Sequence, residues 1–428
     1  MSRVCVIGGG AAGLMAAYAA AKNGHSVVLF EKNEKLGKKI YITGKGRCNF
    51  TNDVPADEFL TNVVRGEKFL RGVLYSFPPQ KVIEFFENNG LSVKTERGNR
   101  VFPCSDHASD ITKTLERACK NQGVEVHLNE KVLDVITDTM SDIIHMSDIQ
   151  HSSTSDVINM PRIVAVKTEK GEYPCDFAII ATGGLSYPTT GSTGDGYAFA
   201  ASVGHSVTDL KAALCGLNLH GDFFKEMQGL TLKNVALTVK NGEKVVYSAF
   251  GEMLFTHFGI SGPIVLSLSS IINRMAISSL SISLDLKPAL DEQTLDKRIL
   301  RDFEMYKNKQ IKGALCDLLP SKIIPFVLKA AAIPENKFVS VLTKEERASL
   351  VRAIKGLPMK ARSLRGIEES IVTSGGVQLS ELNPKTMESK KVAGLKFCGE
   401  VLDVDAFTGG FNMQVAFSTG FAAGNTIR

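Results

Sequence analysis

The chain has 428 residues, 44% hydrophobic and 22% charged, with 50 Lys and Arg against 45 Asp and Glu for a net charge of +5. That composition excludes a disordered or fibrous chain, allows a large core in about two or three domains, and gives little support for a nucleic-acid partner. Eight scattered cysteines with no CxxC pair exclude a disulfide framework and a zinc site, and no apolar run is long enough for a membrane span. Residues 11–21 lack the cationic leader of an export signal, so a reduced, cytoplasmic protein is expected.

Residues 3–8, RVCVIG, are an apolar, β-branched run suited to a buried parallel strand, and the alanine-rich residues 11–23 predict a helix. Between them, Gly8, Gly10 and Gly13 have the spacing of a dinucleotide turn. The first permits the tight turn, the second lets backbone approach a pyrophosphate, and the third lets helix and strand pack closely. A second apolar strand, residues 26–30, ends at Glu31, 18 residues after Gly13 and near the distance at which a carboxylate meets a ribose hydroxyl. The pattern predicts an adenine dinucleotide, and the acid argues against a 2′-phosphate. Residues 32–47 carry six Lys and Arg against one acid, with glycines at 37, 44 and 46. They read either as a solvated basic loop or as extra donors for a long pyrophosphate-linked cofactor.

Residues 138–160 are polar and Asp/Ser-rich, and predict an exposed loop inside a β-hairpin with His145 and His151 as solvent residues. Residues 177–184, FAIIATGG, predict another buried strand, of the form that returns under the dinucleotide in flavoproteins with two dinucleotide domains. Short alternating segments at 214–256 predict antiparallel β structure, and residues 280–288 add a strand. Ser261 can cap a helix opening on Pro263, and residues 291–356 turn helical, with Thr343 and Glu346 as a capping box. Residues 394–424 read as strand, Gly399-Glu400, acidic loop, Gly409-Gly410 and a helix from about Asn412, whose N-terminus can face the pyrimidine edge of a flavin. One cofactor touched by both ends of the chain points to FAD. A second complete GxGxxG is absent, so no dedicated nicotinamide domain is expected, and NAD(P)H enters, if used, only as a transient co-substrate.

The fingerprint at 2–32, GKGRCNFTN (44–52), ATGGLSYPTTGSTGDGY (181–197), LFTHFGISGP (254–263), TSGGV (373–377), NPKTMESK (383–390) and FCGEVLDVDAFTGGFNMQ (397–414) together carry a resemblance. Over essentially its whole length the chain resembles the bacterial flavoprotein family labelled NAD(FAD)-utilising dehydrogenases or aminoacetone-oxidase-like proteins, which includes bile-acid reductases. The resemblance implies an α/β chain with a glutathione-reductase-like, FAD/NAD(P)-binding Rossmann domain at 1–205 and 363–428. An insert interrupts it, with a β-barrel at 206–290 and about 340–362 and a helical part at 291–339. Non-covalent FAD contacts are implied at Gly8, Gly10, Ala12, Gly13, Glu31, Lys32, Gly46, Arg47, Cys48, Asn49, Val132, Ala181, Thr182, Gly183, Gly399, Glu400, Gly410, Phe411, Asn412 and Met413. Lys45 and Ala406 depart from the family, which usually has a small residue and a glycine there, and both bear on the loop beside the flavin.

The activity expected is that of an FAD-dependent oxidoreductase moving hydride between a small organic substrate and the flavin, at the cleft between FAD domain and insert. Arg47, Asn49 and His257 are the candidate catalytic residues, with a packed or capping histidine as the other reading of His257. Asp195 either positions the flavin or caps the following helix. Cys48 has no second cysteine two to four residues away, so it reads as a small side chain packed by the ring rather than a redox thiol. No metal and no membrane are expected. One alternative is a flavin-containing RNA-binding or RNA-modifying protein, against which the insert shows no interleaved aromatic and basic platform. Another is a flavin-holding regulatory protein without turnover.

Overall fold

Runs of Val, Ile and Leu with no polar alternation can be satisfied only by strands covered on both faces. They organise the first part of the computed structural model, which describes residues 1–138 and 160–428. In chain order the elements used below begin with β1 (Arg3–Ile7), α1 (Ala11–Lys22), β2 (Ser26–Glu31), β3 (Glu125–Leu128), β4 (Val132–Thr137), β5 (Ile163–Thr168) and β6 (Phe177–Ile180). The insert adds β7 (Leu217–Leu219), β8 (Thr231–Asn241), β9 (Lys244–Phe255), β10 (Gly259–Ser261), α2 (Pro263–Ile272) and β11 (Leu280–Asp285). Then come α3 (Glu292–Met305), α4 (Lys344–Lys355), β12 (Leu357–Leu364), β13 (Leu395–Phe397) and α5 (Phe411–Asn425).

One unit comprises Met1–Lys211 and Ile367–Arg428. Its sheet runs in the order β13-β6-β1-β2-β3, with every neighbouring pair parallel. Cys5 on β1 pairs with Ala178 on one side and Val28 on the other, so β1 is the centre of the sheet. Fully buried side chains such as Val6, Leu14, Leu29 and Phe30 each contribute about 1.5–3 kcal/mol to its core. The alanines of α1 leave a low surface on which α5 lies closely. A Cβ at Gly420 or Gly424 of α5 would overlap the carbonyl oxygens of Ala12 and Ala16. The antiparallel pair β4 and β5 flanks residues 139–159, so His145 and His151 lie outside the described residues.

The second unit, Ala212–Gly366, contains a closed barrel in the order β7-β10-β9-β8-β11-β12, antiparallel throughout. Period-two alternation builds it. Leu237 and Val239 on β8, Ile282 and Leu284 on β11, and Leu357 and Met359 on β12 point inward and are buried. Leu295 and Ile299 of α3 and Leu350 and Ile354 of α4 join the same apolar cluster. The Thr343–Glu346 capping box forms, with the Thr343 N–H donating to Glu346 at 2.9 Å and the Glu346 N–H to Thr343 Oγ1 at 3.2 Å. Ser261 caps nothing. It is held in β10 opposite Leu254, and Gly262 at φ +98° makes the turn into α2 with Pro263 at the first helical position.

Candidate functional site

The parallel strands of the first unit all finish at one edge, where ligands bind in open α/β sheets. Gly8 leaves β1, Glu31 ends β2, Ala181–Gly183 leave β6, and Gly399-Glu400 follow β13. Gly8 stands at φ +106°, and a Cβ there would lie 2.6 Å from the Ala181 carbonyl oxygen, so only glycine fits. A Cβ at Gly13 would overlap the Gly8 carbonyl oxygen, which makes this the close helix–strand contact. A Cβ at Gly10, by contrast, meets nothing within 4 Å. That position faces open space at the start of α1, which has neither a side-chain cap nor an acid in its first turn. An α-helix leaves its first N–H groups unpaired, so this end is suited to an anion.

Glu31 is held at the same edge. Its Oε2 accepts from the Gly9 N–H at 2.8 Å, and its Oε1 from the backbone and side chain of Asn33 at 2.9 and 2.6 Å. One lone pair remains, on Oε2, for a ribose hydroxyl. Thr182 Oγ1 is buried without a hydrogen-bond partner among the described residues, a polar atom that a ligand at this edge would satisfy. Lys32 is engaged with Asp195 at 2.6 Å and Thr193 at 2.5 Å. Asp195 opens its helix behind Gly194, and its carboxylate faces Lys32. Val132 is buried at the start of β4.

The loop at 44–52 packs against the start of α5. Thr51 Oγ1 donates to Gln414 Oε1 at 2.6 Å and Asn52 Nδ2 to the Gly409 carbonyl at 2.9 Å. Asn412 brackets Ala406, accepting from its N–H at 3.0 Å and donating to its carbonyl at 2.7 Å. That fixes the approach to α5, which again starts on a glycine, Gly410, with neither a side-chain cap nor a first-turn acid, and continues through Phe411 and Met413. Cys48 is fully buried at φ +56°, and burial pushes its thiol up to about 12, so it is protonated at neutral pH. Asn49 spends its amide on the carbonyls of Thr51 and Val101, at 2.8 and 3.0 Å. The Arg47 guanidinium lies over the Phe102 ring and pairs with Glu96 and Asp106. Hydrogen bonds to those two carboxylates hold it above the usual arginine range. Its side chain is thus committed to a carboxylate clamp, while Gly46 shapes the backbone beside it at φ +88°. His257 belongs to the other unit, exposed in the turn between β9 and β10 with its ring edge-on to Phe258.

One cluster has no local sequence signal. Glu400 accepts from Lys39 Nζ at 2.6 Å, Ser186 Oγ at 2.8 Å and the Thr373 N–H at 2.9 Å. Lys39 also reaches Ser186 at 2.5 Å, and Thr373 Oγ1 accepts from the Leu185 N–H at 2.8 Å. Ser186 and Thr373 are fully buried. The network joins three motif stretches, but Lys39 and Glu400 stand 361 positions apart.

A parallel sheet with a glycine turn after its central strand, an acid closing the next strand and an uncapped helix at the turn defines a Rossmann-type dinucleotide-binding protein. The chain belongs to the family described as HI0933-like protein Rossmann domain, which matches residues 2–426. It is 31% identical to the 3-dehydro-bile acid delta(4,6)-reductase of Clostridium scindens, over 99% of this chain and 98% of that protein. It is 30% identical to the ribosomal RNA dihydrouridine synthase of Escherichia coli K12, over 99% and 97%. The fold is also that of the 3-ketosteroid delta1-dehydrogenase of Sterolibacterium denitrificans, with a TM-score of 0.52 at 15% identity over 99% of this chain and 98% of that one.

Proposed function

We propose that this chain is an FAD-dependent oxidoreductase that interconverts a carbon–carbon double bond conjugated to a carbonyl with its saturated form, passing a hydride to or from the flavin and a proton to or from water. The observation that carries the reading is the convergence, at one sheet edge, of Gly8, Gly10, Gly13, Glu31, Ala181–Gly183 and Gly399-Glu400, with a glycine-started, uncapped helix at each end of the unit. FAD, when bound, supplies a two-electron hydride centre. The chain's own residues bind and orient. The start of α1 takes the pyrophosphate, Glu31 a ribose hydroxyl, and Glu400 is a fixed acceptor held by Lys39, Ser186 and Thr373. The N-terminus of α5 favours negative charge beside it, by about 0.3–1 kcal/mol and up to about 2 kcal/mol when partly buried. Cys48 fills space and keeps its proton.

The relatives' names support this substrate chemistry. A delta(4,6)-reduction of a 3-oxo bile acid and the formation of dihydrouridine both saturate a double bond conjugated to a carbonyl. A small organic enone is the first reading, with NADH or NADPH entering as a transient co-substrate. A nucleobase in RNA is the second, favoured by a nearly equal identity to the ribosomal RNA dihydrouridine synthase. We place the protein in the cytoplasm, because its eight cysteines are all free. Among the described residues no helix is long and apolar enough to cross a membrane.

Purified protein should be yellow and release about one FAD per chain on acid or heat treatment. Release of FMN, or flavin that stays with the precipitated protein, overturns the cofactor assignment. Anaerobic reduction with NADH or NADPH, followed by reoxidation with a 3-oxo-Δ4 steroid or with uridine-containing RNA, fixes direction and substrate class. Failure of every such acceptor to reoxidise the flavin faster than a saturated ketone refutes the conjugated-bond chemistry.

A further inference from the structure

The insert, residues 212–366, carries 22 Lys and Arg against 14 Asp and Glu, a net +8, whereas the whole chain carries only +5. Register decides where part of that charge goes. Pairing of β9 with β8, β8 with β11 and β11 with β12 sets Val245, Lys240, Ser281 and Lys360 in one outward row. Ser248, Thr238, Ser283 and Pro358 form the next row, and Phe250, Ala236 and Asp285 begin a third. The intervening residues on β8, β11 and β12 are the buried lining of the barrel, and those on β9 are half-buried against it. Arg362 stands two residues beyond Lys360 on the same side of β12, whereas Lys244, opposite Asn241 at the hairpin end, faces away from this row. Phe250 is 65% exposed and Val245 50% exposed. Lys240, Lys360 and Arg362 make no ion pair among the described residues. Asp285 is neutralised by Lys355 at 2.6 Å, and the other acids nearby, Glu243 and Glu252, lie in the hairpin turn and beyond Phe250.

We infer that this outer face of the barrel is a docking surface for single-stranded RNA. The three uncommitted cations meet phosphates, the hydroxyls of Thr238, Ser248, Ser281 and Ser283 meet 2′-hydroxyls, and Phe250 gives a base a ring to stack on. Small barrels present oligonucleotides on a sheet face in this way. Along the chain these residues are scattered over more than a hundred positions. They interleave only across strands, so the platform missing from the linear sequence exists in the fold. The chemistry of this proposal rests on the second reading of the site, while the surface itself rests on the barrel register.

The test uses the full chain and a fluorescein-labelled single-stranded RNA of about 16 nucleotides, followed by anisotropy across a salt series. Three phosphate contacts predict a slope of log K against log salt of about −2, from about 0.7 per contact. Lys240→Ala with Lys360→Ala should lower that slope by about 1.4 and weaken binding about tenfold or more. Phe250→Ala should weaken it at least about fivefold with the slope unchanged. Lys68→Ala with Lys120→Ala removes the same charge from exposed positions of the other unit and should change neither quantity. DNA of the same sequence should bind more weakly. Absence of saturable binding at about 0.15 M salt, equal losses in the two double variants, or DNA binding as tight as RNA each overturns the proposal. Flavin content, read on every variant, keeps the two claims separate. Yellow protein that ignores RNA refutes only the surface, and colourless protein that binds RNA refutes only the cofactor.

Discussion

Gly10 and Gly13 are two glycines of one turn, yet valine at the first and alanine at the second should fail for different reasons. Gly10 has extended backbone, φ −84° and ψ −172°, that any residue adopts, and a side chain there projects into open space. Gly10→Val should therefore fold, losing about 1 kcal/mol at the helix start and about 2–4 °C in Tm. Its methyl groups, however, hold an anion off the N–H groups of α1, which must be approached to about 2.9 Å to bond. Loss of two charge-assisted hydrogen bonds at about 1.5–3 kcal/mol each weakens FAD binding by about a hundredfold to ten-thousandfold. Gly13→Ala instead drives a methyl into the Gly8 carbonyl, so α1 must leave the sheet and the apoprotein itself is destabilised. The assay is flavin per chain after acid release, paired with thermal unfolding of the stripped proteins. Stoichiometric flavin in Gly10→Val, or a wild-type melting temperature in Gly13→Ala, would refute the assignment of these two roles.

Cys48→Ser should keep its FAD and take up two electrons per flavin in an anaerobic titration, as wild type does, whereas Cys48→Phe should lose the cofactor. Four electrons in wild type and two in the serine variant would reveal a thiol couple. With its thiol pushed up to about 12, Cys48 should also resist iodoacetamide at pH 8 while the exposed Cys104 and Cys316 react. Lys396 is fully buried on β13, donating to the Ala423 carbonyl at 3.1 Å and Thr426 Oγ1 at 2.9 Å, and burial lowers it from 10.5 to about 8. Between pH 8 and 10.5 the unfolded chain holds this proton and the folded chain does not, so wild-type stability rises with pH across that window. Relative to Lys396→Met, wild type should gain up to about 3 kcal/mol between pH 7 and 10.5 in urea unfolding. A difference that stays constant with pH would show that the buried ammonium carries no such penalty.

The Rossmann half was legible because its signals are local. An apolar run, three glycines and an acid fall within 31 residues, and each does its work beside its chain neighbours. The capping box at Thr343 was legible for the same reason, since both partners lie within one turn of α4. The cap expected at Ser261 failed where a local preference met strand pairing to Leu254, and pairing won. Arg47 illustrates the other limit. Its position beside Cys48 and Asn49 was evident, but the carboxylates that claim its side chain come from a hairpin some 50 residues on, and no spacing rule connects them. The Glu400 cluster is illegible for that reason too, since its members meet only in the tertiary fold, and the outer rows of the barrel because they are products of register.

The contact between α1 and α5 also sets a clock. Gly420 must reach Ala12 across the length of the chain, and a ribosome adding about 5–20 residues per second needs roughly 20–80 seconds to make that stretch. Throughout that interval the alanine face of α1 has no cover and the sheet lacks β13 at its edge. The insert, by contrast, is one continuous stretch with its own apolar cluster, complete well before α5 is made. The nascent chain thus carries a finished barrel and an unfinished nucleotide fold at once. Capture of the flavin must wait for α5, which makes a yellow molecule one in which that helix has been made and has closed on α1.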